Sequence, residues 1–285
     1  MPTILLLTAE SLPHDDHETD SVATALDALG VDSTIVPWSA ADLSSMPADL
    51  AVIRSCWDYT VRLAEFLAVL ESLPFPVRNS VEVVRWNCHK GYLLELADSE
   101  VPVLPTELFR CSDPVPETVP DFDAVEVIVK PAVSAGAVGV GRFAAGSQAA
   151  LAHLRSILAD GDALVQPFRP EIAAGERSII FLDGKYSHAV IKTPVSGEFR
   201  VQERYGGTNR PHEATPGELD AAVKALAVVP TTEPLLYARV DLVGDESAPL
   251  IMELELIEPE LFLPQAPGSA QRLASALARS IQPGV

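Results

Sequence analysis

Residues 237–243 read YARVDLV, and residues 251–258 read IMELELIE. Both stretches alternate apolar and polar residues, and residues two apart on a strand face the same side. Three carboxylates therefore fall on polar strand faces: Asp241, Glu253 and Glu255. Arg239 shares the face of the first of them. The pattern predicts two neighbouring antiparallel strands whose apolar faces enter a core while their carboxylates converge.

Convergent carboxylates need a cation among them, because like charges repel at short range. Mg²⁺ prefers hard oxygen ligands and usually shares them with nucleotide phosphates. The strand pair thus predicts a metal site formed by Asp241, Glu253 and Glu255. An ordinary hairpin with a solvated acidic face is the alternative, and it explains less well why Arg239 lies beside the acids.

The rest of the chain predicts three lobes. Residues 1–85 alternate short apolar strands with helical segments, including Ser21–Leu29, and this favours an α/β lobe with a mostly parallel sheet. Residues 86–165 begin with a helix that Asn87 would cap, and residues 166–285 form the largest lobe. The latter two lobes contain the following predicted elements: strands at 126–130, 138–143, 177–182 and 185–192, and helices at 147–158, 215–226 and 269–281.

A lysine precedes a loop of small residues in the second lobe. Lys130 ends the apolar strand EVIVK, and Ser134 and Gly136 follow. An ammonium group beside a loop without bulky side chains suits phosphate, because backbone N–H groups can approach its oxygens. The loop matches neither the Walker A motif nor GxGxxG. A flexible hairpin loop is the alternative interpretation.

Further candidates lie before and after this loop. Lys90 is an isolated cation early in the predicted helix, and a solvated surface lysine is its alternative interpretation. Gln166 and Phe168 lie where the second lobe passes into the third, and an inter-lobe hinge is a usual place for a flat ligand such as adenine. Glu176 follows at a position that would accept ribose hydroxyls.

Composition limits the function classes. The net charge of −20 disfavours nucleic acid as a partner, and a nucleotide site would have to be built from a few local cations and a metal. The three cysteines form no CxxC pair, which favours a reducing cytoplasm. The N-terminal MPTILLLTAE predicts a first strand rather than a signal peptide, and no stretch predicts a membrane span.

The order of these motifs resembles the ATP-grasp superfamily across about residues 86–263. Along the chain come Lys90, then Lys130 with its loop, then QPF and GE, then RVD and ELE. The resemblance implies an ATP-grasp fold of α/β and α+β parts, in which residues 1–85 form the lobe that precedes the two ATP-binding lobes. It also implies an enzyme that joins a carboxylate to a nucleophile through an acyl phosphate.

The resemblance also implies roles for single residues. Lys90 and Lys130 would contact the phosphates and the adenine side, under a loop that includes Ser134 and Gly136. Gln166 and Phe168 would frame adenine, and Glu176 would bind ribose. Asp241, Glu253 and Glu255 would hold Mg²⁺, and Arg239 would stabilise the transferred phosphoryl group and the later oxyanion. Many members carry Glu-x-Asn where this chain has Glu253-x-Glu255.

A narrower resemblance rests on six segments: RSCWDY (54–59), NSVEVVRWN (79–87), VKPAVSAGA (129–137), GERSIIF (175–181), SHAVIK (187–192) and ELELIEPELF (253–262). They are similar to the O-ureido-D-serine cyclo-ligases of D-cycloserine biosynthesis, which close an isoxazolidinone ring using ATP. Two alternatives remain open: an intermolecular carboxylate–amine ligase of the dipeptide or glutathione-synthetase type, and a nucleotide-binding protein without catalysis.

Substrate contacts are expected at the C-terminal end of the strand LAVIR. Arg54 and Asp58 would match the carboxylate and the ammonium of an amino acid, although a surface ion pair is the alternative. Trp57 and Tyr59 would form a pocket wall. Additional candidates complete the set: Lys192 and Arg200, as a flexible basic group near the γ-phosphate, and Glu258, as a partner for a substrate amine.

The expected partners are ATP, Mg²⁺ and a small amino-acid-like carboxylate, without nucleic acid or membrane. The expected compartment is cytoplasmic. The sequence leaves a homo-oligomer open.

Overall fold

The computed structural model describes residues 2–12 and 15–281. Its first sheet is parallel, with the order β2-β1-β3-β4, and its strands are β1 (Thr3–Thr8), β2 (Asp32–Pro37), β3 (Leu50–Ser55) and β4 (Val77–Arg78). The helices α1 (His17–Asp27) and α2 (Leu63–Ser72) connect them. Helix α1 begins before the predicted Ser21, because the Asp16 side chain accepts a hydrogen bond from the Thr19 N–H at 3.0 Å.

Two short helices follow, α3 (Val81–Asn87) and α4 (Tyr92–Asp98). A helix is present in the predicted segment as α4, but the prediction that Asn87 caps it is wrong. Ser80 caps α3, Asn87 is its last residue, and a turn containing Lys90 separates the two helices. The side chain of Asn87 instead bonds a distant strand, as described below. Apolar residues of both helices pack in one cluster with the third sheet.

The second sheet is antiparallel and has the order β5-β8-β6-β7. Its elements are β5 (Glu107–Phe109), β6 (Glu126–Pro131), β7 (Gly141–Ala144), α5 (Gln148–Leu158) and β8 (Ala163–Pro167). Ser147 caps α5 as predicted. Strand β7 begins three residues later than predicted, because Ala137 and Gly139 adopt positive φ angles of 59° and 73°, which interrupt an extended strand.

The third sheet has the order β11-β10-β9-β12-β13 and carries the predicted carboxylate strands. Its elements are β9 (Glu176–Leu182), β10 (Lys185–Thr193), β11 (Thr208–His212), α6 (Pro216–Leu226), β12 (Tyr237–Val243), β13 (Leu250–Glu255) and α7 (Ser269–Ser280). The Asp183–Gly184 hairpin and the Thr215–Glu218 capping box are both confirmed. Strands β12 and β13 pair antiparallel, as predicted.

One buried apolar cluster joins two of the sheets, whereas another belongs to a single sheet. Helix α7 packs on α1, and apolar residues of the first and third sheets join in one buried cluster. The second sheet and α5 form a separate cluster of their own. The first and third sheets are thus joined through a common core, whereas the second sheet packs mainly within itself. Within the described residues, no helix has the length and apolar character to cross a membrane.

Strand β13 lies at the edge of its sheet, where backbone groups would otherwise be unpaired. Side chains from α3 and α4 take the place of a neighbouring strand. Asn87 donates to the Leu254 carbonyl at 2.8 Å and accepts from the Leu256 N–H at 2.9 Å. The Tyr92 hydroxyl accepts from the Leu254 N–H at 2.9 Å. These bonds fix the strand that carries Glu253 and Glu255.

Asn79 ties this edge to β12, and its removal should destabilise the protein. Its amide donates to the carbonyls of Tyr237 and Leu256 at 2.9 and 2.8 Å, and it accepts from the Leu236 N–H at 2.8 Å. Asn79→Ala leaves three buried backbone groups unpaired, so we expect urea denaturation to show a loss of about 2–4 kcal/mol in the free energy of unfolding. The control Asn209→Ala removes an exposed bond to Glu203 and a partly buried bond from Gln265, both between side chains, and should lose less than about 1 kcal/mol. Equal losses of unfolding free energy in the two variants would contradict a stabilising role for the Asn79 bonds.

Candidate active site

Asp241 lies at the centre of the polar face of β12. It is 2% exposed and accepts hydrogen bonds from Ser178 Oγ at 2.5 Å and from Arg239 Nε at 3.1 Å. Lys192 Nζ lies 3.2 Å from its other oxygen. Burial alone would raise the pKa of Asp241, but the charges of Arg239 and Lys192 hold that pKa well below its usual value. The carboxylate is therefore ionised and held in place.

Lys192 is a buried residue of β10 rather than part of a flexible group, so that prediction is wrong. Its ammonium bridges Glu176 and Asp241. Burial lowers the pKa of Lys192, but the two carboxylates outweigh this and raise it. Burial also raises the pKa of Glu176 to about 7. Lys192 faces the site because alternate residues of β10 point to one side of the sheet.

Arg200 lies apart from Lys192, on the segment between β10 and β11. Its guanidinium pairs with Glu198 at 2.6 Å and stacks over the Tyr205 ring at 3.7 Å. The predicted pairing of Lys192 and Arg200 in one basic group is thus not observed. The ion pair holds Arg200 at the surface, where it is partly exposed.

Glu253 and Glu255 follow on β13, in register with Asp241 and Arg239 respectively. Lys90 Nζ lies 3.1 Å from Glu253. Burial opposes ionisation of Glu253, but the charges of Lys90 and Lys130 lower its pKa. Glu255 pairs with Arg239, yet burial, Glu253 and Asp241 raise the pKa of Glu255 to about 7. The three carboxylates therefore lie together, as the strand pattern predicted.

Two lysines close this face, one from the turn before α4 and one from the second sheet. Lys90 is 7% exposed, which excludes the surface-lysine interpretation, and its Nζ also donates to the Ser134 carbonyl at 2.5 Å. Lys130 is the penultimate residue of β6 and is equally buried. Burial, with a further contribution from Lys90, lowers the pKa of Lys130 to about 8, although Glu253 opposes the shift. A buried ammonium of this kind gains stability from any nearby anion.

The loop after Lys130 touches the segment that follows Arg200. Gly136 has a φ angle of 56°, and a Cβ atom added there would lie 2.8 Å from Arg204 Nη2. The positive φ angle favours glycine at this position, whereas the close atom is only the end of a flexible side chain. The predicted loop residues Ser134 and Gly136 thus lie where two surface segments meet above the lysines.

Gln166 and Phe168 end the second sheet. Gln166 is 2% exposed and donates to Thr106 Oγ1 at 2.8 Å. The Phe168 ring lies under the Arg142 guanidinium at 3.7 Å and meets the Phe199 ring edge-on at 6.2 Å. Phe168 therefore contacts the segment that carries Arg200, whereas the side chain of Gln166 is occupied within its own sheet.

The surface ion pair considered as the alternative for Arg54 and Asp58 does not form. Arg54 is buried and pairs with Glu18 at 3.4 Å, whereas Asp58 accepts from Trp38 Nε1 at 2.8 Å. A buried indole N–H requires an acceptor, and Asp58 supplies it. Tyr59 is 4% exposed and packs on Phe66 with a ring distance of 5.2 Å, so it belongs to the core rather than to an open pocket wall.

Trp57 and Glu258 do come together near the carboxylates. Trp57 Nε1 donates to the Glu258 carbonyl at 3.4 Å. Burial and the neighbouring Glu255 raise the pKa of the Glu258 side chain to about 8. This carboxyl group is therefore able to hold or release a proton near neutral pH, next to the strand pair.

Two contributing residues were missed in the sequence. Ser178 bonds Asp241, and Glu18 accepts from the Leu261 and Leu263 N–H groups at 2.8 and 2.7 Å. Glu18 thereby connects α1 to the segment that follows β13, more than 240 positions away. No local sequence pattern marks either residue, because their partners are distant in the chain.

Each carboxylate of the predicted metal set is paired with a cation: Asp241 with Lys192 and Arg239, Glu253 with Lys90, and Glu255 with Arg239. Across residues 2–12 and 15–281, no group of three or more His, Cys, Asp or Glu side chains is arranged to hold a metal ion. The donors are nevertheless the hard oxygens that Mg²⁺ prefers, gathered on one face.

Comparison with known proteins identifies the family. Residues 4–79 match the family model described as D-cycloserine synthetase DcsG, N-terminal domain, and residues 116–259 match Prokaryotic glutathione synthetase, ATP-grasp domain. The Cycloserine biosynthesis protein DcsG of Streptomyces lavendulae is 31% identical, with 98% of each chain covered. The chain belongs to the ATP-grasp ligases. It is a homologue of DcsG, and the predicted enzyme class is confirmed.

Other ATP-grasp relatives agree. A glutathione synthetase of Prochlorococcus marinus is 29% identical over 47% of this chain and 42% of its own. The crystal structure of D-cycloserine synthetase DcsG superposes with a TM-score of 0.87 at 28% identity, covering 98% of this chain and 100% of the other. D-alanine–D-alanine ligase from Bacillus anthracis complexed with ATP gives 0.73 at 15% identity, covering 99% and 97%, and supports the fold alone. The predicted ATP-grasp fold is confirmed.

Proposed function

We propose that this ATP-grasp ligase phosphorylates the carboxylate of O-ureido-D-serine and closes the ring of D-cycloserine within the same molecule. The observation that carries the proposal is the similarity to DcsG over 98% of both chains. The buried carboxylates and cations of the third sheet support it, because they are suited to a phosphoryl-transfer reaction.

ATP would bind between the lobes proposed at residues 86–165 and 166–285, after the substrate lobe at 1–85. Lys90 and Lys130 would meet its phosphates, since both ammonium groups are buried beside Glu253. Ser134 and Gly136 would cover them with backbone groups. The flat base would lie by Phe168 and Gln166, and Glu176 would accept the ribose hydroxyls, giving up part of its contact with Lys192.

Asp241, Glu253 and Glu255 would hold Mg²⁺. The cations that now neutralise them show that this face requires positive charge, and bound Mg²⁺ supplies that charge against the phosphate oxygens. Ser178 and Lys192 would keep Asp241 oriented, as they do in this structure. Such outer contacts fix ligand geometry.

Ring closure takes two displacements, after which water bonds the carbamoyl carbon and its bond to the ring nitrogen breaks, releasing carbamic acid and from it CO₂ and ammonia. In the first displacement a substrate carboxylate oxygen bonds the γ-phosphorus of ATP while the bond to ADP breaks. In the second, the N–H nitrogen next to the substrate oxygen bonds the acyl carbon and loses its proton while phosphate leaves. Arg239 would stabilise the charge in both steps, because its guanidinium is buried, its pKa is raised well above the usual value by Asp241 and Glu255 despite burial, and Asp241 holds it in place. Arg200 would approach from its surface segment.

The experiment is ADP release with Mg-ATP. The substrates are O-ureido-D-serine, its L-isomer, and D-alanine alone or paired with a second amino acid. Release with the single D-ureido substrate supports cyclisation. Release only with amino-acid pairs would replace it by an intermolecular ligase, the activity to which the glutathione-synthetase match of residues 116–259 points. Binding of ATP without release under any condition would indicate a non-catalytic protein.

Lys130→Met should separate stability from nucleotide binding. Burial lowers the pKa of Lys130 from 10.5 to about 8, so below pH 8 the folded protein retains an ammonium that burial disfavours. Without ATP at pH 7, the free energy of unfolding of the variant should exceed that of the wild type by about 1–3 kcal/mol. The wild type should recover this difference as the pH rises from 8 to 10.5, where the folded lysine loses its proton before the unfolded one.

The same variant should bind ATP roughly tenfold to a hundredfold more weakly, because a charged hydrogen bond to phosphate is lost. Urea denaturation and calorimetric titration measure the two effects. Lys224→Met, which removes an exposed lysine paired with Asp220, is the control and should change neither. A Lys130→Met protein that is less stable yet binds ATP normally would contradict the assignment.

A further inference from the structure

A cavity of about 280 Å³ adjoins the proposed reaction centre. It lies between the start of α1, the end of β3 and the segment after β13. Glu260 and Phe262 line it, and both also contact Arg239, through the Glu260 carbonyl at 2.9 Å and the Phe262 ring at 5.7 Å. The cavity is slightly smaller than the roughly 300–1,000 Å³ typical of drug-sized ligands. The cavity therefore adjoins the residues that contact Arg239, and its volume suits a small polar group.

Arg54 supplies unused donors to this cavity. It is 3% exposed and lines the cavity wall. Its Nη2 donates to Glu18, whereas Nε and Nη1 have no hydrogen-bond partner in the described part of the chain. Buried guanidinium N–H groups are almost always paired in folded proteins. The unpaired Nε and Nη1 groups of Arg54 therefore point to an acceptor atom supplied by a ligand.

The other charged side chains of the cavity wall favour a hydrogen-bond donor rather than an acceptor. Asp16, Glu18, Glu203 and Glu260 all line the cavity. Carboxylates accept hydrogen bonds and favour N–H donors. An α-ammonium group would satisfy these acids but would be repelled by Arg54, and a carboxylate would be repelled by the acids. A carbonyl flanked by N–H groups, as in an amide or a urea, satisfies both.

We propose that this cavity binds the carbamoyl end of the substrate, with its carbonyl oxygen accepting from Arg54 and its NH₂ group donating to the acidic wall. The inference rests on the proposed function, since O-ureido-D-serine carries such a group. Glu18 acts as a positioning residue, because it bonds Arg54 together with the Leu261 and Leu263 N–H groups. The carbamoyl pocket is thereby fixed relative to the segment that contacts Arg239.

The test compares O-ureido-D-serine with O-amino-D-serine, which keeps the amino acid and the N–O bond but lacks the carbamoyl group. Their ratio of kcat/KM is measured in the wild type, Arg54→Met and Arg54→Lys; an analogue that is not turned over is measured as a competitive inhibitor. In Arg54→Met the preference for the ureido substrate should fall roughly tenfold to a hundredfold, the effect of one charged hydrogen bond. Arg54→Lys should fall less.

A merely structural defect would lower both values together and leave the ratio unchanged. Arg62→Met is the matched control, because Arg62 stacks on Trp38 away from the cavity, and its ratio should equal that of the wild type. An unchanged ratio in folded Arg54 variants overturns the inference. If these variants do not fold, the wild type decides: equal KM for both compounds overturns the inference. No turnover of O-ureido-D-serine by the wild type instead overturns the proposed function.

Discussion

Replacing Arg239 by lysine is expected to lower kcat about a thousandfold, while KM for ATP changes far less. The guanidinium contacts Asp241, Glu255 and the Glu260 carbonyl simultaneously, so these three partners fix its orientation. A lysine ammonium carries the charge but cannot keep this planar set of contacts. An effect on kcat rather than on KM is the signature of an interaction made in the transition state.

Steady-state kinetics of ADP release measure this effect, and circular dichroism checks that the variant is folded. Arg62→Lys is the control, because that arginine lies in the first lobe and pairs with Glu65. It should leave kcat unchanged. A kcat within about tenfold of wild type in Arg239→Lys would contradict the role assigned to this residue.

The second large effect should distinguish the two glutamates of β13. Glu253→Gln is expected to lower kcat/KM by about a hundredfold or more and to raise the KM for Mg²⁺, because it removes a charged oxygen ligand beside both lysines. Glu255→Asn should stay within about tenfold of wild type. Asparagine keeps an oxygen for Arg239 and for a metal, and it removes a carboxylate whose pKa is raised to about 7 by burial, Glu253 and Asp241.

The chain supplies its own comparison here, since both changes replace a carboxylate by a carboxamide and lie two residues apart on one strand, although Glu255→Asn also shortens the side chain by one methylene. Titration of activity with Mg²⁺ at a fixed ATP concentration gives the metal requirement of each variant. Loss of activity in Glu255→Asn as severe as in Glu253→Gln would show that Glu255 is the indispensable ligand and that the proposed ranking is wrong.

Because the net charge of the chain is −20, binding a polyanion such as ATP requires a local cluster of cations. In this structure, buried or nearly buried cations gather around the carboxylate strands: Lys90, Lys130, Lys192 and Arg239. Each is held by burial and by specific partners rather than by the average field of the protein. Long-range repulsion of ATP is thus compatible with a strongly cationic site, because short-range interactions in a buried setting outweigh screened ones.

Much of the third sheet and its connections could be predicted from the sequence because their signals are local. Alternation in residues 237–243 and 251–258 gave the antiparallel pair and its carboxylate face. Asp183–Gly184 indicated the hairpin, and Thr215 with Glu218 indicated a helix start. In each case the residues that determine the structure are neighbours in the chain.

The parts that could not be predicted depend on distant partners. Arg54 and Asp58 were predicted to bind a substrate together because they are close in sequence, but their side chains bond Glu18 and Trp38, which are distant in the chain. Asn87 was predicted to cap a helix, yet it bonds β13 more than 160 residues later. The alternative interpretation of Lys90 as a solvated surface lysine is excluded only by the turn between α3 and α4, which places it beside Glu253. No periodicity encodes such contacts, because they form only when the lobes pack.

The most direct test of acyl-phosphate chemistry is an oxygen-transfer experiment. O-ureido-D-serine labelled with ¹⁸O in its carboxylate is incubated with the enzyme and Mg-ATP, and the released phosphate is analysed by mass spectrometry. Attack of the carboxylate on the γ-phosphorus predicts one ¹⁸O atom in each phosphate formed with the ring. Ring formation with unlabelled phosphate would contradict carboxylate activation and would require a different role for the Arg239 centre.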